Sequence, residues 1–296
     1  MRAFELYAAR NAQHAVALLA EHGASAQVLA GGTDLLVDLK SSPHPPGVVI
    51  DISRAADLKG IELMDQGLRI GAMATHTEIM RSPLIRELVP VLADAAHTIG
   101  AVQTRNLGTL GGNLVTCVPS MDSGPALIAL EALVTVAGPG GRRSMSLAEF
   151  FSGPRKTILQ PAELLVEILI PRQNLGKPTA FLKFGLRKGQ ALALVNVAAS
   201  LRVDVGKHVF VAPRIALGAV APIVIRAPKA ETFLEGRPVG EAAMVEAGRI
   251  AAGEAKPISD FRASAGYRRH LIAVLTQRAI REAVVRAEAG ETGSAK

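Results

Sequence analysis

The sequence predicts an α+β protein of two domains. Three observations lead there. Short strand-like and helix-like runs are mixed along the first 175 or so residues; beyond Lys177 three β runs are followed by three helical ones; and two glycine-rich loops interrupt the first part. A chain of 296 residues has room for two domains of ordinary size. Apolar residues make up 49% of it, enough for substantial cores, while the absence of Trp and the presence of only two Tyr and eight Phe leave the packing to aliphatic side chains.

In the first part, Phe4–Tyr7 reads as a short edge strand, and Asn11 precedes a helical run carrying Val16, Leu18 and Leu19 that Gly23 stops. Gln27–Ala30 reads as a strand entering the loop Gly31–Gly32, and Asp34–Lys40 as a helix. The proline-rich connection Ser41–Gly47 leads to the β run Val48–Ile52, and the turn Asp65-Gln66-Gly67 to the β run Leu68–Ala72. Thr75 and Glu78 have capping-box spacing. Ser82 followed by Pro83 marks a helix start, and the apolar positions Leu84, Ile85, Leu88, Val91, Leu92 and Ala95 predict one helix ending near Gly100. The stretch Thr98–Asp122, rich in glycine, threonine and asparagine, reads as neither strand nor continuous helix. After it come a short helix over Pro125–Ala132, a strand over Leu133–Ala137, a brief helix over Ser146–Phe151 and a strand over Leu164–Ile170 closed by Pro171.

In the second part, β runs at Ala180–Leu186, Leu192–Val203 and Val209–Val220 are spaced as a meander. Helices are expected near Lys229–Leu234, Ala242–Ala252 and Ala263–Arg286, on one face of that sheet. The boundary falls in the linker Gln173–Pro178. The division is 1–175, with lobes of about 1–55 and 56–175, then 176–290, with 291–296 as a disordered tail.

The formal charge is +7, but the basic residues are scattered and aromatic platforms are lacking, which argues against nucleic acid and for a basic surface that meets phosphates or an acidic partner subunit. The single cysteine, Cys117, excludes an intrachain disulfide and an iron–sulfur cluster held by this chain alone; it reads as a small buried residue. The N-terminus lacks the apolar core of a signal peptide, and no apolar run reaches the ~18 residues of a membrane span, so a cytoplasmic protein without an integral membrane segment is expected.

The glycine loops carry the chemistry. Gly31–Asp34 and the segment from Gly108 to Asn113 combine glycines with Thr33, Thr109 and Asn113, offering N–H and hydroxyl donors of the kind that wrap an anion such as a diphosphate. Two such loops form two walls of one nucleotide site. HExxH, CxxC, GxSxG, the P-loop and GxGxxG are all absent. With no evident nucleophile, base or metal centre, any chemistry falls to a bound organic cofactor.

Three segments carry a resemblance: Leu29–Leu35 (LAGGTDL), Gln103–Asn113 (QTRNLGTLGGN) continued by Pro119 and Asp122, and Ile258–Ala265 (ISDFRASA) with Tyr267, Arg268 and Arg269. Together, in this order, they resemble the FAD-binding medium subunit of the molybdenum hydroxylases, whose members include the flavoprotein subunits of aerobic carbon monoxide dehydrogenase and xanthine dehydrogenase. The resemblance runs from about Phe4 to Ala287. It implies an FAD-binding domain of the vanillyl-alcohol-oxidase (PCMH) type with two lobes, followed by a small α+β domain.

By the same resemblance, noncovalent FAD would be held at its diphosphate by backbone N–H groups of Ala30, Gly31, Gly32, Thr33 and Asp34 and of Thr109, Leu110, Gly111, Gly112 and Asn113. Asp122 would lie near the ribityl chain, Ile99 and Leu165 in apolar contact with the cofactor, and Lys183 near the flavin. The alternatives are a turn or cap for Asp122, core packing for Ile99 and Leu165, and a surface lysine for Lys183. His76 matches a family segment, with a helix-start role as the simpler reading; Arg105 would face the phosphates or pair with a carboxylate. Ile258–Arg269 is expected to order the last helix or a partner interface, with Asp260 and Arg262 capping and pairing locally as the plainer account. The molybdenum cofactor and [2Fe-2S] clusters would sit on a large and a small partner subunit, in a dimer of heterotrimers. Electrons would pass from the clusters through FAD to an external acceptor. Lys188–Leu192 lacks the acidic residue seen in xanthine dehydrogenases, which weakens the case for NAD as that acceptor. A stand-alone flavin oxidase and a nucleotide-binding regulatory module are the competing readings.

Overall fold

A computed structural model describes residues 3–294. The first lobe is a parallel three-stranded sheet in the order β1-β3-β2, built from β1 (Glu5–Ala8), α1 (Ala12–His22), β2 (Ala26–Leu29), α2 (Leu35–Ser41) and β3 (Val48–Asp51). Asn11 caps α1 by accepting the His14 N–H at 2.8 Å, and Gly23 ends it at φ +54°. The helix buries Ala12, Ala15, Val16 and Leu19, the spacing that puts one stripe on the sheet.

The second lobe is an antiparallel five-stranded sheet covered by short helices. In chain order its elements are β4 (Ile61–Met64), β5 (Gly67–Gly71), α3 (His76–Arg81), α4 (Pro83–Leu88), α5 (Pro90–His97), α6 (Val102–Leu107), α7 (Leu110–Thr116), α8 (Ser123–Ala129), β6 (Leu133–Gly138), β7 (Gly141–Ser146) and α9 (Leu147–Phe150). A small hairpin, β8 (Phe151–Gly153) with β9 (Lys156–Thr157), precedes β10 (Leu164–Pro171), which lies at the centre of the order β4-β5-β10-β6-β7.

Three local expectations need correction. The single helix foreseen over Ser82–Ala95 is two, because Pro90 drives Val89 out of helical geometry to φ −147°, ψ 56°. The edge strands β4 and β7 were not foreseen; their side chains are mostly exposed, so they lack an apolar alternation and are set by pairing with β5 and β6. Thr98–Asp122 is not irregular: it holds α6 and α7, the latter capped by Thr109 Oγ1, which accepts the Gly112 N–H at 3.0 Å.

The second domain is an antiparallel sheet β11 (Thr179–Gly185), β12 (Ala193–Asp204), β13 (Val209–Gly218) and β14 (Ile225–Arg226), followed by α10 (Pro228–Leu234), α11 (Glu241–Glu254) and α12 (Ala265–Ser294). The meander and the three helices are as the sequence suggests. Val197, Ala199 and Leu217 face the helices with Ile272 and Ile280, while Phe181, Ala198 and Ala216 join the core of the second lobe. The sheet is thus buried on both faces, which accounts for the nearly unbroken apolar run of β12. Helix α12 continues to Ser294, through most of the segment read as a disordered tail from 291, since each residue added to an existing helix gains a hydrogen bond without a new nucleation cost. Residues 295 and 296 lie outside the described residues. Among the described residues no helix is long and apolar enough to cross a membrane.

Buried and half-buried polar groups tie the domains together. Arg214 Nε donates to Glu131 Oε1 at 2.7 Å, and Asn174 Nδ2 donates to the Leu130 carbonyl at 2.9 Å. Lys177 donates to the Ala212 carbonyl at 2.7 Å; burial, reinforced by Arg214, pushes its ammonium down to about 8. Within the second domain, Arg268 is only 2% exposed and donates to the Leu194 carbonyl at 2.6 Å and to Asp260 Oδ1 at 3.0 Å. Asp260 also takes Arg262, so the turn over 258–264 that leads into α12 is locked to β12 by one guanidinium, that of Arg268. Arg268→Ala takes the buried donor from the Leu194 strand carbonyl and one of the two guanidinium partners of Asp260, and should cost about 2 kcal/mol in urea unfolding. Arg268→Lys should recover only part of it, because one ammonium cannot reproduce the fork.

Candidate functional site

A cleft of about 330 Å³ opens between the two lobes. One wall is the turn from β2 into α2, contributing Ala30, Gly31, Gly32, Thr33 and Asp34. The facing wall is the turn into α7, contributing Gly108, Thr109, Gly111, Gly112 and Asn113. Val28, Ile52, Leu164, Leu165, Ile99 and Leu192 supply apolar surface around these loops. The two glycine loops, some 80 positions apart in the sequence, therefore meet as expected.

Glycine is required here by close approach. A Cβ at Gly31 would lie 1.9 Å from the Leu107 carbonyl oxygen, and one at Gly111 would lie 2.7 Å from the Ala72 carbonyl oxygen and from Ala72 Cβ. The first contact lets one loop rest on the other backbone to backbone; the second seats α7 on the end of β5. Gly32 adopts φ +71°, a conformation open to glycine at little cost.

Donor accounting separates the two loops. In α7 the Leu110 N–H donates to the Ala74 carbonyl at 2.8 Å, Gly111 to Ala72 at 2.9 Å, Gly112 to Thr109 Oγ1 at 3.0 Å and Asn113 to the Thr109 carbonyl at 3.0 Å. These N–H groups are spent inside the protein, so the expectation that both loops present backbone donors is corrected for Leu110–Asn113. Strand-like pairing with Ala72–Ala74 takes the first two and the cap takes the third. By contrast, the N–H groups of Gly31, Gly32, Thr33 and Asp34 have no protein acceptor among the described residues. The first loop is thus a patch of free donors facing a surface kept flat by glycine.

Behind the wall lies a charged pair. Lys183 Nζ donates to Asp122 Oδ2 at 2.5 Å and to the Thr98 carbonyl at 3.0 Å, while Asn196 Nδ2 donates to Asp122 Oδ1 at 2.8 Å. The side chains of Lys183 and Asp122 are 9% and 6% exposed. Burial pushes the Asp122 carboxyl up, against the pull of Lys183 and Asn196. Neither residue lines the cleft, and Leu110 is buried beneath it. Arg105 forms no ion pair with a carboxylate among the described residues; its Nη1 donates to the Ile99 carbonyl at 2.8 Å. Lys183 and Arg105 together hold Thr98–Gly100, whose Ile99 and Gly100 line the cleft.

His76 also lines the cleft, 2% exposed and with Nδ1 enclosed without a hydrogen-bond partner. Burial, and then the nearby Arg105 charge, hold its imidazole down at about 4. Sequence reasoning set His76 aside as a helix-start residue. The capping box belongs to Thr75 and Glu78 alone, with the Thr75 N–H donating to Glu78 Oε2 at 2.7 Å. Val28, Ile52, Leu164 and Leu192 were also missed as cleft residues; their one signal was their place at or beside strand ends. Among the described residues no group of three or more His, Cys, Asp or Glu side chains is placed to hold a metal ion.

Free N–H donors, an uncompensated imidazole and apolar surface to either side suit a long ligand with an anionic middle, and a glycine cradle suits one whose phosphates come close to backbone. Fold and site thus define a nucleotide-binding α+β protein of the two-lobed flavoprotein class. The chain belongs to the family of the FAD-binding domain in molybdopterin dehydrogenase, whose profile matches residues 2–173, and the CO dehydrogenase flavoprotein C-terminal domain matches residues 180–283. It is an oxidoreductase flavoprotein subunit.

Among its relatives is the carbon monoxide dehydrogenase medium chain of Hydrogenophaga pseudoflava, 34% identical over 284 residues, covering 96% of this chain and 98% of that one. A putative xanthine dehydrogenase FAD-binding subunit of Escherichia coli K12 is 33% identical over 277 residues, covering 92% and 93%. Among solved structures, a chain of the Hydrogenophaga carbon monoxide dehydrogenase superposes with a TM-score of 0.92 over 96% of this chain and 98% of that one, at 34% identity. A chain of quinoline 2-oxidoreductase from Pseudomonas putida 86 superposes with 0.89 over 97% and 98%, at 31% identity.

Gly31→Ala should disrupt the meeting of the loops, since the obstacle is backbone, and should lower the thermal midpoint. Gly112→Ala meets only Thr109 Oγ1 at 2.9 Å and a methyl at 4.0 Å, and should leave the midpoint much closer to wild type. The His76 imidazole is held near 4 against an ordinary 6.5. Between these values the unfolded chain binds a proton that the folded chain refuses, so stability falls as pH falls through this window, by about 3 kcal/mol in all. Urea unfolding from pH 7 to 4 should show this slope, and His76→Phe should flatten it.

Proposed function

We propose that this chain carries the flavin of a molybdenum hydroxylase, receiving electrons from [2Fe-2S] clusters on a small partner subunit and delivering them to an external acceptor. The observation that carries this reading is the cleft itself: two glycine loops in backbone contact, four unspent N–H donors, and family profiles spanning nearly the whole chain. A large partner subunit holding the molybdenum cofactor would choose and oxidise the substrate, the assembly being a dimer of heterotrimers in the cytoplasm. The lone Cys117, buried and donating its thiol to the Gly153 carbonyl, accords with the clusters lying elsewhere.

Noncovalent FAD, when bound, supplies the redox chemistry of its isoalloxazine ring. The residues of this chain hold it. Gly31–Asp34 present their N–H groups to the diphosphate, with Ala30 leading into the turn. Thr109, Gly111, Gly112 and Asn113 form the opposite wall through glycine surfaces and side chains, with Leu110 anchoring that wall from below. Ile99 and Leu165 exclude water from the apolar portion. Asp122 and Lys183, spent on each other, act from behind the wall by fixing the Thr98–Gly100 turn. The domain division at the 173–178 linker is part of the same reading, supported by the separate core under β11–β14.

The purified chain, alone or with its partners, should show flavin absorption bands that move to the supernatant on acid precipitation. Gly32→Val forces a β-branched residue to φ +71° and should weaken flavin retention by about tenfold or more. Protein that is colourless and takes up no added FAD in either form would sink the reading.

A further inference from the structure

Among the described residues that line the cleft, His76 alone has a fully buried side-chain polar atom without a hydrogen-bond partner. Its Nδ1 is enclosed without a partner, and the ring belongs to the cleft wall. It does no capping, because Thr75 and Glu78 satisfy each other. An enclosed orphan nitrogen weakens a fold, and an apolar side chain of the same shape would serve a purely structural wall better. Nδ1 is closed off from the cleft as well, so a ligand can meet the ring only at Nε2, which is not enclosed and has no protein partner among the described residues.

The ring also stands beside the free donors. Its backbone N–H donates to the Gly108 carbonyl at 3.0 Å. The point where a Gly108 Cβ would sit lies 3.4 Å from His76 Cδ2 and 3.5 Å from Thr33 Oγ1. Thr33 belongs to the loop whose N–H groups are unspent. The imidazole, Thr33 and the bare Gly108 therefore share one corner of the cleft, with the Arg105 charge close enough to act on the ring.

We propose that His76 is a ligand of the diphosphate, its Nε2–H, on the ring edge that faces Gly108 and Thr33, donating to a phosphate oxygen beside the Gly31–Asp34 donors. This rests on the reading of the cleft as a dinucleotide site. The neutral ring carries one N–H, and diphosphate oxygens are strong acceptors for it.

The test titrates the full chain, as wild type, His76→Phe and His76→Gln, with FAD and with ADP, and follows thermal unfolding of each without ligand. His76→Phe should bind both ligands roughly 10- to 100-fold more weakly, the size of a hydrogen bond to a charged group. His76→Gln, whose amide can donate, should bind them within several-fold of wild type. Unliganded His76→Phe should unfold at or above the wild-type midpoint, since the orphan nitrogen is gone. Equal affinity of His76→Phe and wild type for ADP overturns the proposal. So does equal weakness of the Phe and Gln variants, or a lowered midpoint with unchanged binding. Wild type that takes up neither FAD nor ADP would instead remove the reading of the cleft on which the proposal stands.

Discussion

The closest constraint in this fold is the contact of Gly31 with the Leu107 carbonyl, where a single Cβ would come within 1.9 Å. It joins a turn of the parallel lobe to a turn of the antiparallel lobe with no side chain between them. The cleft exists because the lobes touch there and part beyond it. Gly111 on Ala72 repeats the device on the other side, seating α7 on β5 and consuming its backbone donors. One glycine loop is thereby left with free N–H groups and the other with a smooth, satisfied surface. The asymmetry follows from which loop pairs with a strand.

Charge does a different task. Asp122–Lys183 and Glu131–Arg214 run from the second lobe to the sheet of the second domain, and their carboxylates are shared with Asn196 and Asn174 respectively. The buried Asp122–Lys183 pair adds little net stability relative to apolar packing, yet breaking it is costly. The effect of both pairs is to fix where β11 and β13 sit against α8 and β6, and so where the Thr98–Gly100 turn lines the cleft. Asp122 and Lys183, which the resemblance places beside the cofactor, meet each other in the structure, and Lys183 also holds the Thr98 carbonyl.

The strand and helix pattern was largely legible because its signals are local. Asn11, Gly23, Thr75 with Glu78, and Ser82 with Pro83 each do in the structure what their residue types favour. What escaped lacked a local signal. The strands β4 and β7 are held by their neighbours rather than by apolar periodicity, and α6 and α7 carry glycines and threonines that suggest loop when read alone. His76 escaped for a related reason: beside a capping box, a polar residue has an adequate local explanation, and only its burial shows that it takes no part in the cap.

By itself the sequence determined the class of fold, the two glycine loops and the family, since these depend on residue types at short spacing: glycine where φ is positive or backbones approach, caps at helix starts, apolar periods in strands. Only the tertiary structure decided which donors remain free, which charges are spent on each other, and that His76 is buried in the cleft wall. Those outcomes depend on partners tens of residues away, Ala72 and Ala74 for α7, Lys183 for Asp122 and Arg105 for His76. A hydrogen-bonding group can be named from the sequence, but its acceptor is chosen by the packing.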